Sequence, residues 1–224
     1  INAHASDAVF QALDQIRAGQ YPTTSIAITA QDGTGKTHII SRIRHRLQEH
    51  GGGLFVCANQ YSNISQVKQG FQLILAESLG KIGRDGVKQW QELATAMANN
   101  ALKIAQSNAK VFSPQQFIEK FKAGTPKQVK KWIKELTKAF LQAKSVNDPD
   151  IVKAIFWTLS DEQSLYAIKW LKGQELAQYQ ANELELPSQC QSFEAVLQIL
   201  DLISEYNELV ICFDELDTPD AYDD

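Results

Sequence analysis

Two short stretches hold residues whose types and spacing could do chemistry together: AQDGTGKTHII, residues 30–40, and LVICFDEL, residues 209–216. In the first, a turn containing Gly33 and Gly35 hands over to Lys36 and Thr37. Backbone N–H groups of such a turn can wrap a polyphosphate, the lysine can reach its outer oxygens, and the hydroxyl can ligate Mg²⁺. In the second, an apolar run ends in Asp214 and Glu215. A carboxylate there can hold Mg²⁺ through water, and its neighbour can orient and deprotonate an attacking water.

The pattern G-x-x-x-x-G-K-[ST] is met at every position but the first, where Ala30 stands for glycine. Alanine adds one methyl where the backbone turns, which is tolerable while φ stays negative. Gln31, Asp32, Gly33 and Thr34 would supply the wrapping backbone, Gly35, Lys36 and Thr37 the contacts to phosphate and metal, and His38 follows on the first helical turn. Either stretch alone has a bland reading, a tight turn before a helix or a solvated strand end. Both, in this order in one chain, point to a nucleotide site with Lys36 and Glu215 as catalytic groups and Thr37 and Asp214 as metal ligands.

These groups need a sheet and a helix to hold them. TTSIAITA, ahead of the glycine turn, is short and β-branched and predicts a strand near 24–30; LFVCA predicts a second near 54–58 and ELVICF a third near 208–213. The helix after the loop carries Ile39, Ile40, Ile43 and Leu47 at helical spacing and stops at the glycines of 51–53. An amphipathic helix precedes the first strand, with Val9, Leu13 and Ile16 on one face, Ser6 or Asp7 as cap and Gly19 as stop. From about Ile64 to Tyr206 the pattern is helical, roughly seven helices, with SPQQF, TPKQV and NDPDI placing a polar cap before a proline, and Ser160 and Gly173 bounding another helix. No internal repeat interrupts it.

The predicted fold class is therefore α/β: a nucleotide-binding core with a parallel sheet, carrying a large all-helical insertion between strand 2 and the acidic strand. Residues 1–83 form the N-terminal part of the core, 84–190 the insertion, and 191–224 the helix and acidic strand that complete the core. From Lys36 to Asp214 the chain runs far longer than one added strand–helix unit of about 30–40 residues requires.

With 224 residues, 44% hydrophobic and 21% charged, the chain can build a sizeable core. No apolar run is long enough to cross a bilayer, so no membrane segment is expected. Cys57, Cys190 and Cys212 lie far apart, two of them in apolar runs, which fits buried thiols in a reducing, cytoplasmic setting better than disulfides. The net charge of −4 makes any nucleic-acid surface local.

The combination AQDGTGKT plus LVICFDELD resembles P-loop ATPases of the additional-strand, catalytic-glutamate type, the group that includes AAA+ and STAND proteins. GGGLFVCANQYSN and AIKWLKGQEL are similar to segments of bacterial ATPases related to the origin-recognition branch, including those of phage-defence systems such as BREX. That resemblance implies Mg²⁺-dependent ATP binding and hydrolysis that drives conformational change or assembly in a larger complex. Lys36 would contact the β and γ phosphates, Thr37 and Asp214 would hold Mg²⁺, and Glu215 would be the base; adenine as the base is implied by the resemblance alone. The family's next strand, which lies between the loop strand and the acidic (Walker B) strand, its arginine finger and its lid have no counterpart here, so the sequence reads as a piece of something longer. A nucleotide-gated switch with little turnover is the first alternative. A kinase is a more distant one.

A further candidate is Lys127, Lys130, Lys131, Lys134 and Lys138, which follow three- and four-residue steps and line one helix face. They could sit on a DNA backbone, making the chain a DNA-binding module, or form the solvated face opposite Val129, Trp132, Ile133, Leu136 and Phe140. Trp90, Trp132, Phe156, Trp157 and Trp170 fall in apolar helical patterns and predict core. Asn59, after strand 2, is a polar group that could approach the γ-phosphate. Arg42 and Arg44 could meet a neighbouring subunit of a hetero- or homo-oligomer.

Overall fold

The computed structural model describes residues 3–29, 35–50, 53–58, 67–190 and 193–213. Its elements run α1 (Ala3–Arg17), α2 (Lys36–His50), β1 (Leu54–Ala58), α3 (Val67–Leu79), α4 (Gln89–Ala105), α5 (Pro114–Ala123), α6 (Pro126–Ala143), α7 (Pro149–Trp157), α8 (Ser164–Leu171), α9 (Gln178–Leu184), α10 (Phe193–Tyr206) and β2 (Leu209–Phe213). Between β1 and β2 every described element is helical, apart from a single Ile82–Lys88 bridge.

β1 and β2 pair in parallel, Leu54 opposite Leu209 through Ala58 opposite Phe213. Alternation along the strands gives the sheet two apolar faces. Leu54 and Val56 enter a large core that continues through the helices to Ile203, with Leu209 and Ile211 against it. Phe55 turns to the other face and joins Leu13 of α1 and Ile39, Ile43 and Leu47 of α2, with Cys57, Val210 and Cys212 beside them. A parallel sheet covered by helices on both faces is the α/β arrangement the sequence predicts.

Several helix ends confirm the local reading. Ser113 and Thr125 accept hydrogen bonds from the backbone N–H groups of Gln116 and Gln128, and Asp148 from that of Asp150, each with a proline in the first turn. Gly19 and Gly173, at φ +71° and +77°, stop α1 and α8 in the left-handed region that glycine enters without penalty.

Other expectations are corrected. The segment predicted as a strand near 24–30 forms none in its described part, residues 23–29. A strand exists only by pairing, and among the described residues no strand pairs with this segment, although Ile28 packs against the cluster around Leu13 and Ile39. α1 begins at Ala3, so Ser6 is buried within its first turns and donates to the Ala3 carbonyl rather than capping the helix. α8 begins at Ser164 with Gln163 before it; Ser160 instead closes a tight turn, its carbonyl accepting from Gln163 and Ser164. Eight α-helices, not seven, are described between β1 and β2. Cys190 is buried, but Cys57 and Cys212 are only half-buried. Trp90, Phe156, Trp157 and Trp170 are core as expected, while Trp132 is half-buried at its edge.

The outer edge of β1 is closed by side chains. Gln89, at the start of α4, accepts from Phe55 N–H at 2.6 Å and donates to the Phe55 and Ser78 carbonyls at 3.0 and 2.9 Å. The Ser78 hydroxyl takes the Cys57 N–H at 3.4 Å. A buried amide thus bonds as a neighbouring strand would, and the sheet ends there.

Candidate functional site

α2 is the element that positions the loop chemistry. It starts directly after Gly35, whose φ of +90° lies where an L side chain is strained, so glycine is required by backbone conformation. The Gly35 carbonyl accepts from the His38 and Ile39 N–H groups at 3.0 and 3.3 Å, which makes Gly35 the helix's entry residue. The exposed His38 folds back over it: a Cβ on Gly35 would lie 3.6 Å from the imidazole Cδ2.

The first turn of α2 contains no acid and begins with Lys36 and Thr37. A lysine at the positive end of a helix dipole is unfavourable by itself and becomes favourable once an anion sits there. Lys36 is half-buried and Thr37 exposed.

Connectivity sets the direction of that helix. α2 is 15 residues long, about 22 Å at about 1.5 Å per residue, and its C-terminal end at His50 lies shortly before β1 starts. Ile39, Ile43 and Leu47 pack α2 against Phe55 of β1, and a helix joined to the strand by so short a connection is expected to run back along it, with Lys36 toward the edge where the strands end. Open α/β sheets bind ligands at that edge. Arg46 of α2 pairs with Asp7 of α1 and lies 4.0 Å from the centre of the Phe10 ring, fixing the two helices together. Arg17 of α1 reaches Glu208 at 3.4 Å, ahead of β2.

Of the residues the sequence assigns to the site, Gly35, Lys36, Thr37 and His38 are described, gathered at the N-terminus of α2. Gln31, Asp32, Gly33, Thr34, Asp214 and Glu215 lie outside the described residues, as do Ala30 and Asn59. Asp214 follows Phe213, the last residue of β2. The donor set of a threonine hydroxyl and a carboxylate, both hard oxygens, fits Mg²⁺, which keeps several waters and takes its remaining ligands from phosphate. Among the described residues no three His, Cys, Asp or Glu side chains cluster to hold a metal by themselves.

The lysine stripe of α6 is divided by its neighbours. Lys130 pairs with Glu185 at 3.4 Å and Lys131 with Glu135 at 3.8 Å, one turn on. Lys127, Lys134 and Lys138 are exposed. The opposite face buries Val129, Ile133, Leu136 and Phe140, as the periodicity predicts. Gln89 is a residue that sequence reading missed: a glutamine at the start of a helix has no local signature for an amide that covers a strand 34 residues away.

No described helix is long and apolar enough to cross a membrane. Comparison with curated proteins and with solved structures finds no match. Comparison with protein families does: residues 2–221 match the KAP family P-loop domain. With Gly35 leading into Lys36 and Thr37 at the start of α2 and helices on both faces of a parallel sheet, the chain belongs to the KAP family of P-loop NTPase domains.

Proposed function

We propose that this domain binds ATP with Mg²⁺ and hydrolyses it, and that the cycle drives conformational change or assembly in a larger complex. The observation that carries this reading is the start of α2: a left-handed glycine leading directly into Lys36 and Thr37. Lys36 would neutralise β and γ phosphate charge, Thr37 and Asp214 would hold Mg²⁺, and Glu215 would orient and deprotonate the attacking water. The metal would supply charge neutralisation across the β and γ oxygens. Gln31, Asp32, Gly33 and Thr34 would wrap the phosphates through their backbone, with His38 folded at the loop's exit.

Membership of the AAA+ or STAND group, a helical insertion at 84–190 within a core of 1–83 and 191–224, and a role in DNA-linked or antiviral defence are finer proposals that rest on the resemblance. A cytoplasmic setting is supported by Cys57, Cys190 and Cys212, none of which forms a disulfide. The unpaired segment 23–29 supports a sheet order in which another strand stands between it and β2. DNA binding through α6 finds less support, since Lys130 and Lys131 are already paired with carboxylates.

The test is nucleotide binding and turnover by the native protein, Lys36→Ala and Glu215→Gln. The expected result is ATP hydrolysis by the native protein, loss of binding in Lys36→Ala, and binding without turnover in Glu215→Gln. Tight binding with negligible native turnover would replace the ATPase with a nucleotide-gated switch; no binding with Mg²⁺ present would overturn both.

A further inference from the structure

A cavity of about 490 Å³ opens between α6, α7 and the end of α9, within the range of small-molecule sites. Its floor is apolar: Ile133, Trp157 and Leu184 are almost fully buried, and Leu141 is half-buried beside them. The Trp157 indole N–H is consumed by the Leu184 carbonyl at 2.9 Å, so the ring offers no donor to a ligand. The walls are lysines: Lys130, Lys134 and Lys138 from α6 and Lys153 from α7. Their methylene stems extend the apolar surface while the ammonium groups ring the mouth.

One carboxylate lines this cavity, that of Glu185, and it is held in an unusual way. Glu185 is the one non-glycine residue among those described with positive φ, at φ 53° and ψ 43°. That helix-ending position normally takes glycine or asparagine, because the left-handed backbone is unfavourable for other residues. The backbone so held turns the Glu185 carbonyl to Lys153 Nζ at 2.9 Å, while its carboxylate meets Lys130 at 3.4 Å. Lys153 also meets Asp150 at 3.1 Å. Two of the four ammonium groups are therefore fixed by protein acids, whereas Lys134 and Lys138, one turn apart on the same wall, are exposed and face the cavity.

From this arrangement we infer that the cavity binds a small amphiphilic anion, an apolar chain or ring carrying one carboxylate or phosphate monoester. The apolar body lies on Leu141 and the lysine stems, and the head group lies between Lys134 and Lys138. Charge complementarity decides the class: four ammonium groups against one lining carboxylate exclude a cationic head, and an apolar floor wastes its surface on a DNA backbone. Lys127 and Lys131, which belong to the same sequence stripe, do not line the cavity.

The experiment is calorimetric titration of the native full chain with dodecanoate, dodecyl phosphate and dodecyltrimethylammonium below their micellar concentrations. The same titrations follow on Lys134→Glu/Lys138→Glu and on Lys127→Glu/Lys131→Glu, which changes net charge equally outside the cavity. Expected are saturable binding of at least one anionic probe, the tighter of the two identifying the head group, and no binding of the cation. Loss of affinity of about tenfold or more is expected in the first double variant only, the worth of one or two charge-assisted hydrogen bonds. Unchanged melting temperatures in both variants keep the comparison valid, and Leu141→Asp, which charges the floor instead of the rim, gives a second route to the same loss. Equal binding of all three probes, equal loss in both lysine variants, or no binding of either anion would overturn the inference. Binding of a short DNA duplex that weakens equally in both variants, with no anionic probe bound, would do so in favour of a phosphate-backbone surface.

Discussion

The two faces of the sheet are packed very differently. On one, Leu54 and Val56 merge into a core that includes Trp90, Phe140, Phe156 and Trp170 and extends through α3 to α10. On the other, Phe55 meets only a small cluster around Leu13, Ile39, Ile43 and Leu47. The candidate phosphate-binding residues Lys36 and Thr37 begin α2, on the lightly packed side. Loops and helices that must respond to a ligand are drawn from the less stable parts of a fold, whereas a large continuous core resists local opening. The difference predicts that the α1–α2 side opens locally more readily than the helical side.

The largest expected effect comes from the heavy face. Phe156→Ala empties a fully buried site packed edge-on against Phe140, and should cost about 3–5 kcal/mol, read as a lower denaturation midpoint for the whole chain. On the light face Leu13→Ala should cost about 2 kcal/mol, near the low end for such truncations because a small cluster relaxes more readily. Hydrogen exchange should then rise in α1 and α2 and stay unchanged in α4 and α7. Equal acceleration everywhere would break the comparison, showing one cooperative unit.

Gln89→Leu tests the joint between the two sides. It leaves Phe55 N–H and the Phe55 and Ser78 carbonyls without their amide partner, and should cost about 2 kcal/mol with faster exchange at Phe55. A smaller loss, about 1 kcal/mol, is expected for Thr125→Ala at the start of α6, restored by Thr125→Ser.

Cys190 gives an effect absent at neutral pH, with a sign that can be checked in alkali. Burial, with the Asp148 carboxylate adding to it, pushes the thiol from 9.0 up to about 11 against an opposing hydrogen bond from Gln72. Below pH 9.0 the thiol is neutral in folded and unfolded chain alike. Between pH 9.0 and about 11 the unfolded chain loses this proton first, so the contribution of Cys190 to stability is lost as pH rises through that window. Cys190→Ala should flatten the alkaline fall in melting temperature; an unchanged slope would place that fall elsewhere.

Much of the fold was legible because its signals are local. Ser113, Thr125 and Asp148 cap helices through hydrogen bonds spanning two or three residues, and the apolar faces of α2 and α6 follow from a 3.6-residue period. The candidate loop is a local signal of the same kind: the glycine turn and Lys36–Thr37 form one contiguous stretch, and the described Gly35 has the left-handed backbone that favours glycine. Ser160 shows the limit of such reading, because several polar residues in SDEQS could begin a helix and packing selected Ser164 as the first turn.

What the sequence determined by itself was the P-loop signature, through residue types held at short separations, and the α/β class, through the period of its apolar residues. The tertiary structure alone decided the edges and surfaces. Residues 23–29 carry strand-forming side chains yet pair with nothing described, while Gln89 closes the edge of β1 from a helix. One stripe of five lysines became two sets, because Glu185, brought in from α9, meets Lys130 while Lys134 and Lys138 face the cavity. Strand pairing and ion pairing depend on partners distant in the chain, and a local pattern holds no record of which partner arrives.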